Sequence, residues 1–595
     1  MPINREDKYQ VNENKVWFKK WWPEGVPKNT NFEEKTVNDL LDEQVKKYGN
    51  LDVMWFLDTW VSYVELLDYV KSFATALHQL GVRKGDVVAI HLPNCIQYVV
   101  SYYAITRLGA IASGINPTYK PLEILHQLEI IKPKVLIALD ALYKDFIHPI
   151  VEKTKVKRLI YTNIADLAHG LGAKRSLGKM LGKIPKGKVK YAGAHKFMDL
   201  LDTRVDLPKI EIDPKIDAAT YIMTGGTTGV PKATVLTHFN VVSNVKQVTM
   251  WLGGDQPGLG NIGILPLYHS FAHTAVMNTT IAFGGWMMLF PRPPTQEDLC
   301  QHIQNLPCPE GLVYAGPEVL FQRLAEFEDI KNYPNVMGKL KLCVSGAGPL
   351  HRPVYDAFVK NTGGNLVEGY GLTEASPVVS GGNLFGTSPI GCIGMPFPGT
   401  EWGIWPTEDF NQGPICLGDP EDKSYGEAHT GEICVHGPQV MLEYLNKPEE
   451  TADTIKEYDG KLWLLTGDIG FMNEDGTVTI RDRKKQLIKV KGYSVYPKEV
   501  EELLMKHPEI SEAAVAGLPH AETGELVKAW IAITPESNLT ADDIIKWAQD
   551  NMTHYKKPGL VDIIEEVPKD LIGKVQRRAL QTNDPIWKEK YGDKV

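Results

Sequence analysis

The hydrophobic pattern of this chain changes period along its length. Short apolar, β-branched runs, DVVAIHL (86–92), KVLIAL (134–139) and RLIYTN (158–163), read as buried strands, whereas CIQYVVSYYAITRLGA (95–110) has the spacing and length of a helix. Strands alternating with helices predict an α/β plan with largely parallel sheets. After about Ile390 the pattern becomes short strands between Gly and Pro turns, as in GEICVHG (431–437) and DGTVTIRDR (475–483), and predicts a small β-barrel-like subdomain over about 390–484. From Lys485 a compact α+β unit is expected, with VEELLMKH (500–507) and ADDIIKWAQDNM (541–552) helical and EAAVAGL (512–518) and VKAWIAI (527–533) extended. The predicted organisation is a large N-terminal domain of α/β subdomains, 1–484, followed by a small mobile α+β C-terminal domain, 485–595.

Two segments depart from these patterns. Ile262 to Pro291 contains no Asp, Glu, Lys or Arg and is long enough to span a bilayer. Pro266, His269, His273, Asn278, Thr279, Thr280, Gly284 and Gly285 interrupt it, so it reads as a turn, a buried helix and a buried strand, GGWMMLF. Residues 168–197 carry Lys174, Arg175, Lys179, Lys183, Lys186, Lys188 and Lys190 without an acidic residue, interleaved with Leu171, Leu177, Met180, Leu181 and Ile184. Such a segment suits peripheral contact with an anionic membrane surface; a solvated basic loop is the competing reading.

At 595 residues the chain exceeds what one core normally organises, which agrees with two or more domains. Its net charge of −9 gives no general attraction to nucleic acid. Seven cysteines are scattered without a C-x-x-C pair or zinc spacing, and MPINREDKYQ lacks the apolar core of a signal peptide. A reduced cytoplasmic setting is expected, extended to the inner face of a membrane if 168–197 binds lipid.

The strongest chemical signal is TGGTTGVPK, Thr224 to Lys232. A Walker A loop needs lysine directly after glycine and Ser or Thr after lysine; here Val230 and Pro231 intervene and Ala233 follows. ATYIM (219–223) and ATVLTH (233–238) flank it as two strands, whereas a P-loop opens a helix. Gly225, Gly226 and Gly229 still let backbone N–H groups converge on oxygen, and Thr224, Thr227 and Thr228 add hydroxyls, so a phosphate cradle of another kind is expected. A glycine-rich hairpin without a ligand is the plain alternative.

Further elements follow in order: EGYGLTEAS (368–376), LTGDIG (465–470), RDRKKQLIKVKGYSVYPKEVEE (481–502) and PKDLIGKVQRRAL (568–580). With the threonine–glycine loop, this set resembles the adenylate-forming superfamily of acyl-CoA synthetases, luciferases and peptide-synthetase adenylation domains along nearly the whole chain. The likeness is greatest to long-chain fatty-acid–CoA ligases, through VWFKKWWPEGVP (16–27), LPLYHSFA (265–272), LVEGYGLTEASPVVS (366–380) and HGPQVMLEY (436–444).

The resemblance implies ATP, Mg²⁺ and coenzyme A as reactants and cofactors: a carboxylate attacks the α-phosphate, pyrophosphate leaves from the cradle, and a thiol displaces AMP. It implies that Glu374 holds Mg²⁺, with Thr227 and Thr373 near the phosphates and Lys232 closing the loop. Tyr370, within Glu368, Gly369, Gly371 and Leu372, is expected to present its ring to adenine. Asp468 and Arg483 are expected at the ribose, and the turn of Gly346, Ala347 and Gly348 at nucleotide and acyl group. His269 is expected on the carboxylate side of the acid. Lys574 would enter for adenylation, Lys485 would be the hinge, and Lys489 and Gly492 would form the face for coenzyme A.

Three features differ from the family's usual pattern: Ala233 after the loop lysine, a long acidic stretch at 406–428, and His520 in GLPHAETGE. They bear on substrate and partner surfaces. A small carboxylic acid, ATP and coenzyme A are the expected partners; a homodimer is carried alongside. A ligase for short, hydroxylated or aromatic acids, a ligase loading a separate carrier protein, and a silent acyl- or nucleotide-binding protein are the other readings.

Overall fold

The computed structural model describes residues 9–224, 231–490, 493–520, 522–569 and 575–591. The apolar runs near the amino terminus build one eight-stranded sheet. Its parallel strands Ile111–Gly114, Val87–His91, Val135–Leu139, Arg158–Thr162 and Ala194–Lys196 lie side by side in that order, and the sheet continues from Ile111–Gly114 into the antiparallel pair Ala218–Thr224 and Lys232–Thr237. The two β-branched flanks of the threonine–glycine loop are therefore paired strands, as expected, and residues 225–230 between them lie outside the described residues. Glu443–Tyr444 adds an edge strand to the same antiparallel pair.

A nine-stranded sheet runs from Met395–Pro396 to Thr59–Ser62, with parallel strands Asn365–Gly371, Leu340–Ser345, Leu312–Gly316, Gly260–Gly263, Trp286–Leu289 and Asp52–Phe56. The helices Ile96–Arg107 and His238–Trp251 are buried along nearly all of their length. They share one core with strands of both sheets, so neither has a solvent face and neither shows a narrow apolar stripe. The uncharged stretch 262–291 is accommodated here. It supplies the end of Gly260–Gly263, the helical turns Ser270–Ala282 and the strand Trp286–Leu289, all inside the protein core. Among the described residues no helix is long and apolar enough to cross a membrane.

Beyond residue 390 the strands Glu401–Trp405, Gly431–His436, Ile455–Tyr458, Lys461–Met472 and Val478–Arg483 form a five-stranded antiparallel sheet. The acidic loop 406–428 folds back on it: Phe410 stacks on Trp405 at 5.3 Å, and Asp419 receives Lys15 at 3.0 Å. From Ile488 onward a separate core joins Ile488, Val500, Val515, Ile531 and Ile544 between a second small sheet and the helices Pro497–Leu504 and Ala541–Asn551. In the basic segment, the helix Ala173–Met180 leaves Leu177 and Met180 exposed, followed by exposed Leu181.

Candidate active site

A cavity of about 1490 Å³ opens where the parallel strands of both sheets end. Gly114, Thr224, Ala315, Gly346 and Gly371 line it, each at or just past the carboxyl end of its strand, the usual place for ligands in open α/β sheets. The helix His238–Trp251 brings the walls together. Thr237 caps it by accepting from the Asn240 N–H at 3.1 Å while Asn240 Oδ1 accepts from the Thr237 N–H at 3.0 Å. The Asn240 amide then donates to the carbonyls of Pro438 and Val440, both at 2.9 Å. One turn on, Asn244 exchanges hydrogen bonds with Val378, donating to its carbonyl at 2.7 Å and accepting its N–H at 2.9 Å. One helix thus fixes the TEAS turn and the HGPQ loop beside the hairpin.

At one end of the cavity, Tyr370 stands on the strand Asn365–Gly371 and donates its hydroxyl to Asp468 Oδ2 at 2.6 Å. Asp468 lies directly across the antiparallel ladder from Arg483, whose Nε is 3.0 Å from Asp468 Oδ1. Burial, reinforced by Asp468, pushes the Tyr370 hydroxyl well above its ordinary pKa, and Asp468 raises that of Arg483. The trio is therefore a neutral donor, an anion and a cation. Gly346 and Ala347 line the same region, and Ala347 holds φ of 67°, a left-handed conformation that costs a non-glycine residue about 1 kcal/mol. At Gly371 a Cβ would stand 2.2 Å from the Pro377 carbonyl oxygen, so only glycine fits.

Toward the hairpin, Thr224 and Lys232 face Thr373 and Glu374. Ser270 Oγ and Thr373 Oγ1 share a 3.0 Å hydrogen bond, and the Tyr444 hydroxyl donates to Glu374 Oε1 at 2.7 Å. A carboxylate with a neighbouring hydroxyl is a hard oxygen set, which fits Mg²⁺ held jointly with phosphate oxygens. His269 Nδ1 accepts from the Phe271 N–H at 3.3 Å, so the ring caps the turns that follow and borders the cavity. Val248, Trp251, Leu252, Val313, Leu384 and Phe397 give the same cavity an apolar portion of wall. Trp251 is pinned there: its indole N–H donates to the Gly382 carbonyl at 2.8 Å, and its ring meets Trp22 edge-on at 5.2 Å and Phe397 at 4.8 Å.

Thr224, Lys232, His269, Gly346, Ala347, Gly369, Tyr370, Gly371, Leu372, Thr373, Glu374 and Arg483 all line this one cavity, with Asp468 directly behind Tyr370. Glu368 does not line it. Its carboxylate accepts the N–H groups of Gly391 at 2.6 Å and Leu350 at 3.4 Å, so it braces two turns, and burial raises its pKa. Gly348 is likewise outside the lining. Lys489 points to the acidic loop, 3.5 Å from Glu408. Gly225, Gly226, Thr227, Thr228, Gly229, Gly492 and Lys574 lie outside the described residues, as does the side chain of Lys485. Lys569 and Gln576, which flank 570–574 in sequence, both line the cavity, so the C-terminal unit contributes to its wall. Sequence reasoning missed Ser270, Tyr444 and Trp251. For Tyr444 the signal was available: it is the one aromatic residue of HGPQVMLEY, beside a charge in an otherwise apolar run.

The family model "AMP-binding enzyme" matches residues 41–445, and "AMP-binding enzyme C-terminal domain" matches 499–574. A long-chain-fatty-acid–CoA ligase of Bacillus subtilis is 33% identical over 578 residues, covering 96% of this chain and 98% of that protein. A protein of the same name from Escherichia coli O157:H7 is 34% identical, covering 95% and 98%. Among solved structures, ATP-bound MatB from Rhodopseudomonas palustris superposes with a TM-score of 0.75 at 23% identity, covering 94% of this chain and 99% of that one, which supports the fold. The protein belongs to the AMP-binding enzyme family and is an AMP-forming acyl-CoA synthetase of the adenylate-forming superfamily.

Proposed function

We propose that this synthetase activates a medium- to long-chain fatty acid, forming acyl-AMP and pyrophosphate and then passing the acyl group to coenzyme A. The observation that carries the chain-length reading is the apolar part of the cavity lining, Val248, Trp251, Leu252, Val313, Leu384 and Phe397, which offers an alkyl chain apolar contact. Both fatty-acid ligases named above align with nearly the whole of this chain, which supports the same substrate class.

In this reading the acid lies with its tail against the apolar wall and its carboxylate near His269. No general base is required, because a carboxylic acid titrates near about 4 and is already ionised at neutral pH. Tyr370 stacks on adenine while Asp468 and Arg483 hold the ribose. The hairpin loop with Thr224, Thr227 and Lys232 grips the outer phosphates that depart as pyrophosphate. When bound at Glu374, Mg²⁺ supplies neutralisation of the phosphate charge. Lys574 places its ammonium against the carboxylate and α-phosphate oxygens. Rotation of the 485–595 unit about Lys485 then removes Lys574 and presents the Lys489 and Gly492 face to coenzyme A.

The test is pyrophosphate release across straight-chain carboxylic acids of graded length, with short, hydroxylated and aromatic acids beside them. A peak among medium to long chains is expected; a peak on an aromatic acid, or release with none of the straight-chain acids, would overturn the substrate class. Comparing coenzyme A with a holo-carrier protein as acceptor decides the second half-reaction. The exposed Leu177, Met180 and Leu181 among the lysines of 168–197 support a peripheral contact with anionic lipid. Cosedimentation with phosphatidylglycerol vesicles but not with phosphatidylcholine vesicles is the expected result.

A further inference from the structure

Two groups of opposite charge line the cavity, Lys232 on the strand Lys232–Thr237 and Glu374 on the TEAS turn, and among the described residues no ion pair joins them. What stands with both is Tyr444. The Lys232 ammonium lies over its ring, 4.5 Å from the centroid, and its hydroxyl donates to Glu374 Oε1 at 2.7 Å. We propose that Tyr444 is a positioning residue that keeps cation and carboxylate apart, holding Glu374 for the metal and Lys232 for the departing phosphates.

The backbone of Tyr444 is fixed on every side, as such a role requires. It pairs antiparallel with Thr234, two residues from Lys232, so hairpin and tyrosine move as one piece of sheet. Its N–H donates to Thr451 Oγ1 at 3.0 Å, and its carbonyl accepts the Lys447 N–H at 3.1 Å. The side chain is buried and its hydroxyl already donates to Glu374, so the ring is held in one place between the two charged groups. Free to choose, a lysine and a glutamate sharing one partly dry cavity would pair and cancel each other's field. A ring face offers the ammonium a weaker partner that phosphate oxygens outcompete. A single neutral hydroxyl leaves the carboxylate its negative charge and its remaining lone pairs for a cation.

The inference rests on the reading of Glu374 as metal ligand, and the experiment separates the two. Tyr444→Phe, Tyr444→Leu and Glu374→Gln are compared with the parent for Mn²⁺ binding by electron paramagnetic resonance in the presence of α,β-methylene-ATP, for binding of that nucleotide without metal, and for thioester formation from synthetic acyl-AMP. Tyr444→Phe is expected to weaken Mn²⁺ binding about tenfold, the value of a hydrogen bond to a charged group, while metal-free nucleotide binding stays within about twofold. Tyr444→Leu also removes the ring and is expected to weaken metal-free nucleotide binding about fivefold. Thioester formation from acyl-AMP stays near the parent rate in both, which shows an intact fold. If Glu374→Gln loses Mn²⁺ but Tyr444→Phe binds it as the parent does, the positioning role is wrong while the metal assignment stands. If Glu374→Gln binds Mn²⁺ normally, the metal assignment falls and the proposal with it. Equal losses by both tyrosine variants in all three measurements would reveal general damage and likewise overturn it.

Discussion

Replacing Asp468 tests the nucleotide end of the site most sharply, because its existing bonds limit what ATP can still use. A carboxylate offers about four lone-pair sites. Tyr370 takes one at 2.6 Å and Arg483 another at 3.0 Å, which leaves two for the ribose hydroxyls. Each hydrogen bond to a charged group is worth about 1.5–3 kcal/mol, so Asp468→Ala is expected to cost ATP binding about 3–6 kcal/mol, or 10²- to 10⁴-fold. The bond from Tyr370 is made without ligand and kept when ATP binds, so it cancels in the affinity. Tyr370→Phe should therefore leave ATP affinity within about threefold and show its loss as a lower unfolding temperature, whereas Tyr370→Ala removes the stacked ring and should cost about 1–3 kcal/mol of affinity. Calorimetric titration with a non-hydrolysable ATP analogue and its 2′- and 3′-deoxy forms reads all three. The parent should discriminate against the deoxy forms, and Asp468→Ala should bind the three nucleotides alike. Full discrimination by Asp468→Ala, or an affinity loss under tenfold, would refute the ribose assignment.

Other consequences follow from the same geometry. Burial holds the imidazoles of His91 and His238 down to about 4 and that of His273 down to about 3, so below pH 6.5 the unfolded chain takes up three protons that the fold refuses. Asp482, pushed up to about 6 by burial, acts in the opposite sense, because its folded carboxyl gains a proton between about pH 6 and 4 before the unfolded one does. The buried carboxyls of Glu368, Asp140 and Asp52, also raised by burial, act in the same sense as Asp482, but the three imidazoles are shifted furthest below their usual value, so a net loss of stability, on the order of 1 kcal/mol per pH unit, is expected as pH falls from 6 to 5; an unfolding temperature that is flat or rising over that range would contradict this. Lys574→Ala is expected to cut adenylate formation by orders of magnitude and to spare thioester formation from preformed acyl-AMP, and equal loss in both half-reactions would end the division of labour proposed for the lid. Trp251→Ala should enlarge the apolar part of the cavity and shift the optimum to longer chains, with kcat/KM rising about fourfold per added methylene at about 0.8 kcal/mol each. An unchanged optimum would place the end of the acyl chain elsewhere.

The elements and the motifs were legible because both are local. Apolar period alone placed Val87–His91, Val135–Leu139 and Arg158–Thr162, and β-branched residues on both sides of TGGTTGVPK marked a hairpin where a P-loop would have opened a helix. What the pattern could not show were partnerships across the chain. Tyr444 meets Glu374 from 70 positions away and Trp251 meets Gly382 from 131, and no period records such a pairing. Glu368 illustrates the converse: strand alternation sets it on the same face as Tyr370, two residues on, yet its carboxylate is taken up by the N–H groups of Leu350 and Gly391 and does not reach the cavity, a partnership across the chain that the motif does not record. The helix His238–Trp251 explains how such distant pieces meet. Read locally it is a buried apolar helix, in which Asn240 and Asn244 look like costly polar intrusions. In the fold they are its purpose: their amides bond to loops near residues 438 and 378, and each bond satisfies a backbone group that would otherwise be buried unpaired. Two polar residues in a dry helix therefore set how far the strand Lys232–Thr237 stands from the TEAS turn and Glu374 before any ligand arrives.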